Sequence, residues 1–137
     1  MTIILVWAQT VQNMSEERER LDVGLISIEV SDLLLKHAGF PTAWETDNRT
    51  YTIGLAFKDH VLNSNKVNKF LSFSYDNARL LLGTRNYQFY FLLINATDKK
   101  MFNSGGRYPV NPALAVNSHR LVMINSTPAY MDLTIWR

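Results

Sequence analysis

Leu21-Asp22-Val23-Gly24-Leu25-Ile26-Ser27-Ile28-Glu29-Val30-Ser31-Asp32-Leu33-Leu34-Leu35-Lys36-His37-Ala38-Gly39 is the stretch on which the fold turns. Val23 and Leu25, then Ile28 and Val30, come close to the two-residue alternation of a strand. Leu33-Leu34-Leu35 continues the segment without a turn, which favours a helix. Upstream, Trp7, Val11, Met14, Leu21, Leu25, Ile28 and Leu35 recur at spacings of three, four and seven. No proline interrupts them. Glu16 and Arg20 stand four apart in the charged middle, an arrangement that supports a helix. Gly39 and then Pro41 follow Lys36 and His37, a good helix stop. The reading is one helix over residues 3–38, about 50 Å long at 1.5 Å per residue. Its segment from Leu21 to Leu35 is apolar nearly all round and is expected to be buried.

Outward from the helix, the chain divides into a long N-terminal helix (1–38) and a globular head domain (39–137). Tyr51, Ile53, Leu55 and Phe57 alternate with small residues, as in a strand. Short helices are expected within 64–72 and from Ser74, a good N-cap, to Gly83. Tyr87 to Ile94 is apolar on both faces, as a central strand is. Residues 95–118 are turn-rich, either a surface feature or cover for a short edge strand. Arg120 to Ile124 and Tyr130 to Trp136 read as a hairpin. The fold class is α+β: a long N-terminal helix packed on an antiparallel sheet of about four strands, with two short helices between strands 1 and 2.

Composition limits the function classes. In 137 residues, 47% are hydrophobic and 19% charged, which suits a packed domain and argues against disorder. There is no cysteine, so disulfides, thiolate zinc sites and a cysteine nucleophile are excluded. The net charge of +2 comes from scattered basic residues. A nucleic-acid binder carries a denser basic stripe, so nucleic acid is disfavoured as a partner.

The apolar start, Thr2 to Ala8, is too short to span a membrane. It has neither a basic region before it nor a small-residue cleavage site after it. Two readings stay open: the last turns of a longer apolar helix, which would anchor in a membrane, or the apolar start of an ordinary helix.

No catalytic constellation emerges. His37, His60 and His119 lie far apart with no paired spacing, and Asp59 beside His60 is a weak acid/base signal. Asp32, Asp76 and Asp132 are single carboxylates: Asp32 is expected to cap or pair within the helix, and Asp132 to face solvent. Gly105-Gly106 stands alone and reads as a turn. The expectation is no enzyme, no metal and no cofactor. Tyr87, Phe89 and Phe91 share a strand face. They could stack nucleic-acid bases, but core packing is the commoner use. Asn-x-Ser/Thr occurs at Asn13, Asn48, Asn95 and Asn125, where chance predicts about 1.7 such sites. These four are the candidate glycosylation sites.

Several pieces in order resemble a group of archaeal type IV pilin-like surface proteins: Asp32-Leu33-Leu34, then Gly39-Phe40-Pro41 with Trp44, and Ile53-Gly54-Leu55-Ala56. Val61-Leu62-Asn63 with Lys66, Ser74-Tyr75-Asp76, Leu81-Leu82-Gly83 and Asn86-Tyr87 with Phe89-Tyr90-Phe91 continue the likeness. Arg120, Asn125, Pro128, Leu133 and Ile135-Trp136-Arg137 close it. It covers roughly residues 25–137. In that family a class III signal peptide is cut, leaving an apolar N-terminal helix that anchors in the membrane or packs into a filament. The head faces outside and is often N-glycosylated. The resemblance implies an extracellular or cell-surface structural protein that self-associates, or joins other pilin-like subunits, through its N-terminal helix. Ile3, Ile4, Leu5, Trp7 and Val11 are the expected assembly interface, and Asn95–Ser118 is the candidate outward surface. The alternative is a soluble binding module for a protein partner or nucleic acid.

Overall fold

The computed structural model describes the backbone at every residue except Met1 and Asn48, and the side chains except those of residues 1–13, 15 and 48. One helix, α1, runs Thr2–Lys36. Short strands β1 (Gly39–Phe40), β2 (Thr52–Ile53), β3 (Ala56–Lys58) and β4 (Val61–Leu62) follow. Helices α2 (Ser64–Ser72) and α3 (Tyr75–Leu82) come next. The chain closes with β5 (Gln88–Asn95), β6 (Met101–Gly106), β7 (Ala115–Ile124) and β8 (Thr127–Trp136).

The architecture is α+β, but the strands differ in number and sense from the expected four antiparallel ones. Six form a mixed sheet in the order β3-β4-β7-β8-β5-β6, and β1 and β2 form a small sheet of their own. The short β4 runs parallel to β7. The two short helices therefore lie between β4 and β5, not between a first and a second strand. These early strands are two or three residues long, and the single strand expected through Tyr51, Ile53, Leu55 and Phe57 is broken at Gly54–Leu55 into β2 and β3, which belong to different sheets.

The short helices form where their caps lie. Asn63 Oδ1 accepts from the backbone N–H of Asn65 and Lys66 at the start of α2, and Ser74 Oγ from that of Asn77 at the start of α3. Gly83 ends α3 at φ 75°, a left-handed conformation that glycine adopts at little cost. The hairpin is longer than expected, because Asn125 (φ 51°) and Ser126 (φ 62°) make a two-residue turn with both residues left-handed. The turn-rich 95–118 stretch contains β6, which pairs antiparallel with β5 as an edge strand. Connections remain only on either side of it.

The core lies between the sheet and the helices. Phe89, Phe91 and Leu93 of β5, Met131, Leu133 and Ile135 of β8, and Val122 and Ile124 of β7 point inward and are buried. Helix α1 covers β7 and β8 with Val23, Ile26, Val30 and Leu34. Phe70 of α2 packs on Phe89 and meets Phe91 edge-to-face at 5.4 Å. The expectation that Leu21 to Leu35 is buried all round fails on one side. Leu21 is 74% exposed, Leu25 55% and Ile28 53%. A single sheet covers one side of a helix, and no other layer of the head reaches the far side.

Candidate functional site

The face of α1 turned away from the head is the candidate site. Its exposed apolar residues are Met14 (53% exposed), Leu21, Leu25 and Ile28. They recur at seven, four and three residues, the spacing of a coiled-coil seam. Arg18 and Asp32 complete the series before Leu21 and after Ile28. In the sequence the same spacing continues backwards to Val11, Trp7 and Ile4. Of the expected interface, Ile3, Ile4, Leu5, Trp7 and Val11 have side chains outside the described residues. The residues that sequence reasoning missed are Leu21, Leu25 and Ile28. Their signal was present: Met14, Leu21, Leu25 and Ile28 are offset in spacing from the buried Val23, Ile26, Val30 and Leu34, and so fall on the opposite side of the helix, although Leu35 of the same series is buried.

The helix is held to the head by polar contacts at Glu19, Asp22 and Asp32. The Arg137 guanidinium donates to Glu19 Oε2 at 2.7 Å. Asp22 accepts from Arg85 and from the Tyr87 hydroxyl, both at 3.2 Å. Burial, and then the Asp22 carboxylate, push the Tyr87 hydroxyl above its ordinary pKa. Further along, Asp32 lies 3.8 Å from Lys36, its helix neighbour, and 3.4 Å from Arg120 on β7. These contacts fix the rotation of α1 and so hold the Met14–Ile28 face outward.

Gly39, Trp44, Gly54 and Lys66, from the stretches quoted for the pilin-like resemblance, meet at the foot of α1. Trp44 is fully buried, and its indole N–H is shared between Ala38 O (3.0 Å) and Gly54 O (2.9 Å). The backbone of Gly39 and Gly54 passes so close to this joint that a Cβ at Gly54 would sit 2.2 Å from His37 O. The Lys66 amine is buried and donates to Ala38 O and Thr42 O, each at 2.6 Å. Burial lowers its pKa, while Glu45, 4.0 Å away, acts to raise it. The cluster closes the loop after α1 and has a packing role.

The other candidates do not come together. His60 Nδ1 lies 2.6 Å from Asp59 Oδ1 on an exposed turn. His119 Nδ1 lies 2.5 Å from Asp132 Oδ1 on the outer sheet face, stacked on Tyr130, with Lys99 over the same ring. Asp132 is thus paired, not simply solvated as expected. No group of three His, Asp or Glu side chains suited to a metal occurs among the described residues. Phe89 and Phe91 are buried, which removes them as a stacking platform. Asn95 and Asn125 lie at the same end of the sheet, where Ala96 N donates to Pro128 O. Asn125 is exposed in the turn, whereas Asn95 Oδ1 is occupied by Thr97 N at 2.8 Å. Asn48 and the side chain of Asn13 fall outside the described residues.

The outer sheet face carries a second apolar feature. Leu121, Tyr130, Ile94 and Met101 stand opposite one another across four strands, partly or fully exposed. Among the described residues, no helix is long and apolar enough to cross a membrane. No protein-family model, curated protein or solved structure matches the chain.

Proposed function

We propose that the chain is a non-enzymatic structural subunit of an extracytoplasmic, pilin-like surface assembly that associates through α1. The observation that carries this reading is the apolar seam on α1. An exposed apolar stripe on a helix is expected to find a partner, and heptad spacing suits another helix. The sequence extends the stripe to Val11, Trp7 and Ile4, within the interface that the pilin-like resemblance implies. Asn125, exposed in its turn, is the more exposed of the two candidate glycan acceptors that lie among the described residues. Replacing Ile4 and Trp7 together with glutamine leaves the head folded and abolishes association, read by light scattering behind size exclusion. Unchanged association in that variant contradicts the reading.

The alternative, a soluble module for a protein partner, draws on the Leu121–Tyr130–Ile94–Met101 row. If association runs through the sheet, Leu121→Asp with Met101→Asp abolishes it. On the first reading the same pair leaves association unchanged.

A further inference from the structure

The two edges of the mixed sheet are unlike. At one edge, β3 is three residues long. At the other, β6 has six residues, and among the described residues no strand lies beyond it. Met101-Phe102-Asn103-Ser104-Gly105-Gly106 carries neither a charge nor a proline, the usual guards of a free edge. Arg107 N donates to Phe89 O at 2.8 Å. Gly105, opposite Phe91, is therefore in a hydrogen-bonded pair, and Ser104, opposite Leu92, is not. The N–H and C=O of Ser104 point away from β5, toward the place a further strand would take.

A cavity of about 100 Å³ adjoins this edge, walled by Phe70, Leu71, Phe73, Tyr75 and Phe89, with Gly105 in its lining. Leu71, Phe73 and Tyr75 are only half-buried, so the cavity is open to solvent. Gly105 faces the helices: a Cβ there would run into Leu71 Cδ2, the end of a flexible side chain. In a strand added beside β6, the residue opposite Gly105 points to this same face, over the cavity. On the scale where an apolar cavity of about 150 Å³ admits benzene, this one admits a leucine side chain. Its rim is cationic. The Arg107 guanidinium lies 4.6 Å from the centre of the Tyr75 ring, that of Arg79 lies 5.7 Å from the same ring, and the Lys69 amine lies 5.9 Å from that of Phe73. Asp76 is the one carboxylate between Phe70 and Gly83. A second copy of β6 does not suit this edge. Its residues on the cavity side, Asn103 and Gly105, offer no apolar group, and it brings another Arg107 with it.

We infer that β6 accepts an extended peptide of another protein as one more, antiparallel strand. An apolar side chain opposite Gly105 fills the cavity, and a carboxylate two residues earlier in the peptide lies beside Arg107. Main-chain hydrogen bonds from Ser104 hold the strand, and the cavity selects it. The site is separate from α1 and does not depend on association through it.

The probe is a dye-labelled, capped peptide, Thr-Glu-Thr-Leu-Thr-Thr, titrated with the chain and followed by fluorescence anisotropy. Saturable binding is expected, and serine in place of the leucine weakens it by about tenfold or more. Ser104→Pro removes the outward N–H and spares the bonds to β5, so the variant folds by circular dichroism and does not bind. Arg107→Glu reverses the preference between glutamate and lysine in the peptide. A parent chain that does not bind overturns the inference, as does equal binding of the leucine and serine peptides, a comparison that needs no variant of the chain. Equal binding by a folded Ser104→Pro chain overturns strand addition. If Ser104→Pro alone turns an associating parent chain into a monomer, the edge is a contact between copies and the inference is wrong.

Discussion

Trp44 offers one indole N–H, and two backbone carbonyls, Ala38 O and Gly54 O, converge on it. Trp44→Phe keeps most of the ring and leaves both carbonyls without this donor. The expected cost is about 1–3 kcal/mol, read from urea unfolding. Gly54→Ala fails differently, because its Cβ would meet His37 O and the Gly39 backbone, neither of which is a flexible side chain. It is expected to cost at least as much, about 1–3 kcal/mol or more. Equal stability of either variant with the parent chain contradicts the described joint. Tyr87 provides a test by pH. Its folded pKa is raised above 10.0, first by burial and then by Asp22. The folded state therefore holds the phenolic proton more tightly than the unfolded chain does. That contribution is fully present below pH 10 and is lost as pH rises through the raised value. From pH 10 upward, stability is expected to fall more steeply in the parent chain than in Tyr87→Phe. Parallel profiles would contradict the Tyr87–Asp22 contact.

At the level of elements, the β7–β8 turn has both central residues left-handed, and Ser126 holds φ 62° without being glycine. Ser126→Gly creates the Asn-Gly pair that this turn type prefers, and it keeps the glycan acceptor pattern because Asn125 and Thr127 are unchanged. A gain of about 0.4–1 kcal/mol in urea is expected. Loss of stability would contradict the turn geometry. The elements also show what the sequence could reveal. The residues of α1, α2, α3, β5 and the hairpin could be read directly, because each is long enough for periodicity or has a cap residue at its end. Of β1–β4, the 51–57 alternation was readable, but it reads as one strand where the chain forms β2 and β3 in two different sheets, and β1 and β4 left no pattern. Two or three residues carry no period, and β4 pairs parallel to a strand some sixty residues away, which no local pattern encodes. The edge strand β6, Met101-Phe102-Asn103-Ser104-Gly105-Gly106, was hidden by its glycines, which weaken any strand signal. The candidate site was half legible. The three-, four- and seven-residue spacings are visible in the sequence, but the apolar character of α1 reads there as burial on every side. Which stripe faces the sheet depends on contacts such as Glu19 with Arg137 and Asp22 with Tyr87, which join residues more than sixty apart.

For the molecule as a whole, one helix serves two sets of contacts. Val23, Ile26, Val30 and Leu34 close the core, and Met14, Leu21, Leu25 and Ile28 remain open. Burying an exposed leucine or isoleucine stabilises association by about 1.5–3 kcal/mol per side chain before the cost of bringing two chains together. Removing the open set should therefore leave the fold intact. The most direct test is sedimentation equilibrium of the chain beside its Leu21→Gln/Leu25→Gln variant, with thermal unfolding of both followed by circular dichroism. The account predicts concentration-dependent association of the parent chain, a monomeric variant, and melting temperatures that agree within a few degrees at concentrations where both are monomeric. A parent chain that stays monomeric, or a variant that associates equally well, would contradict it.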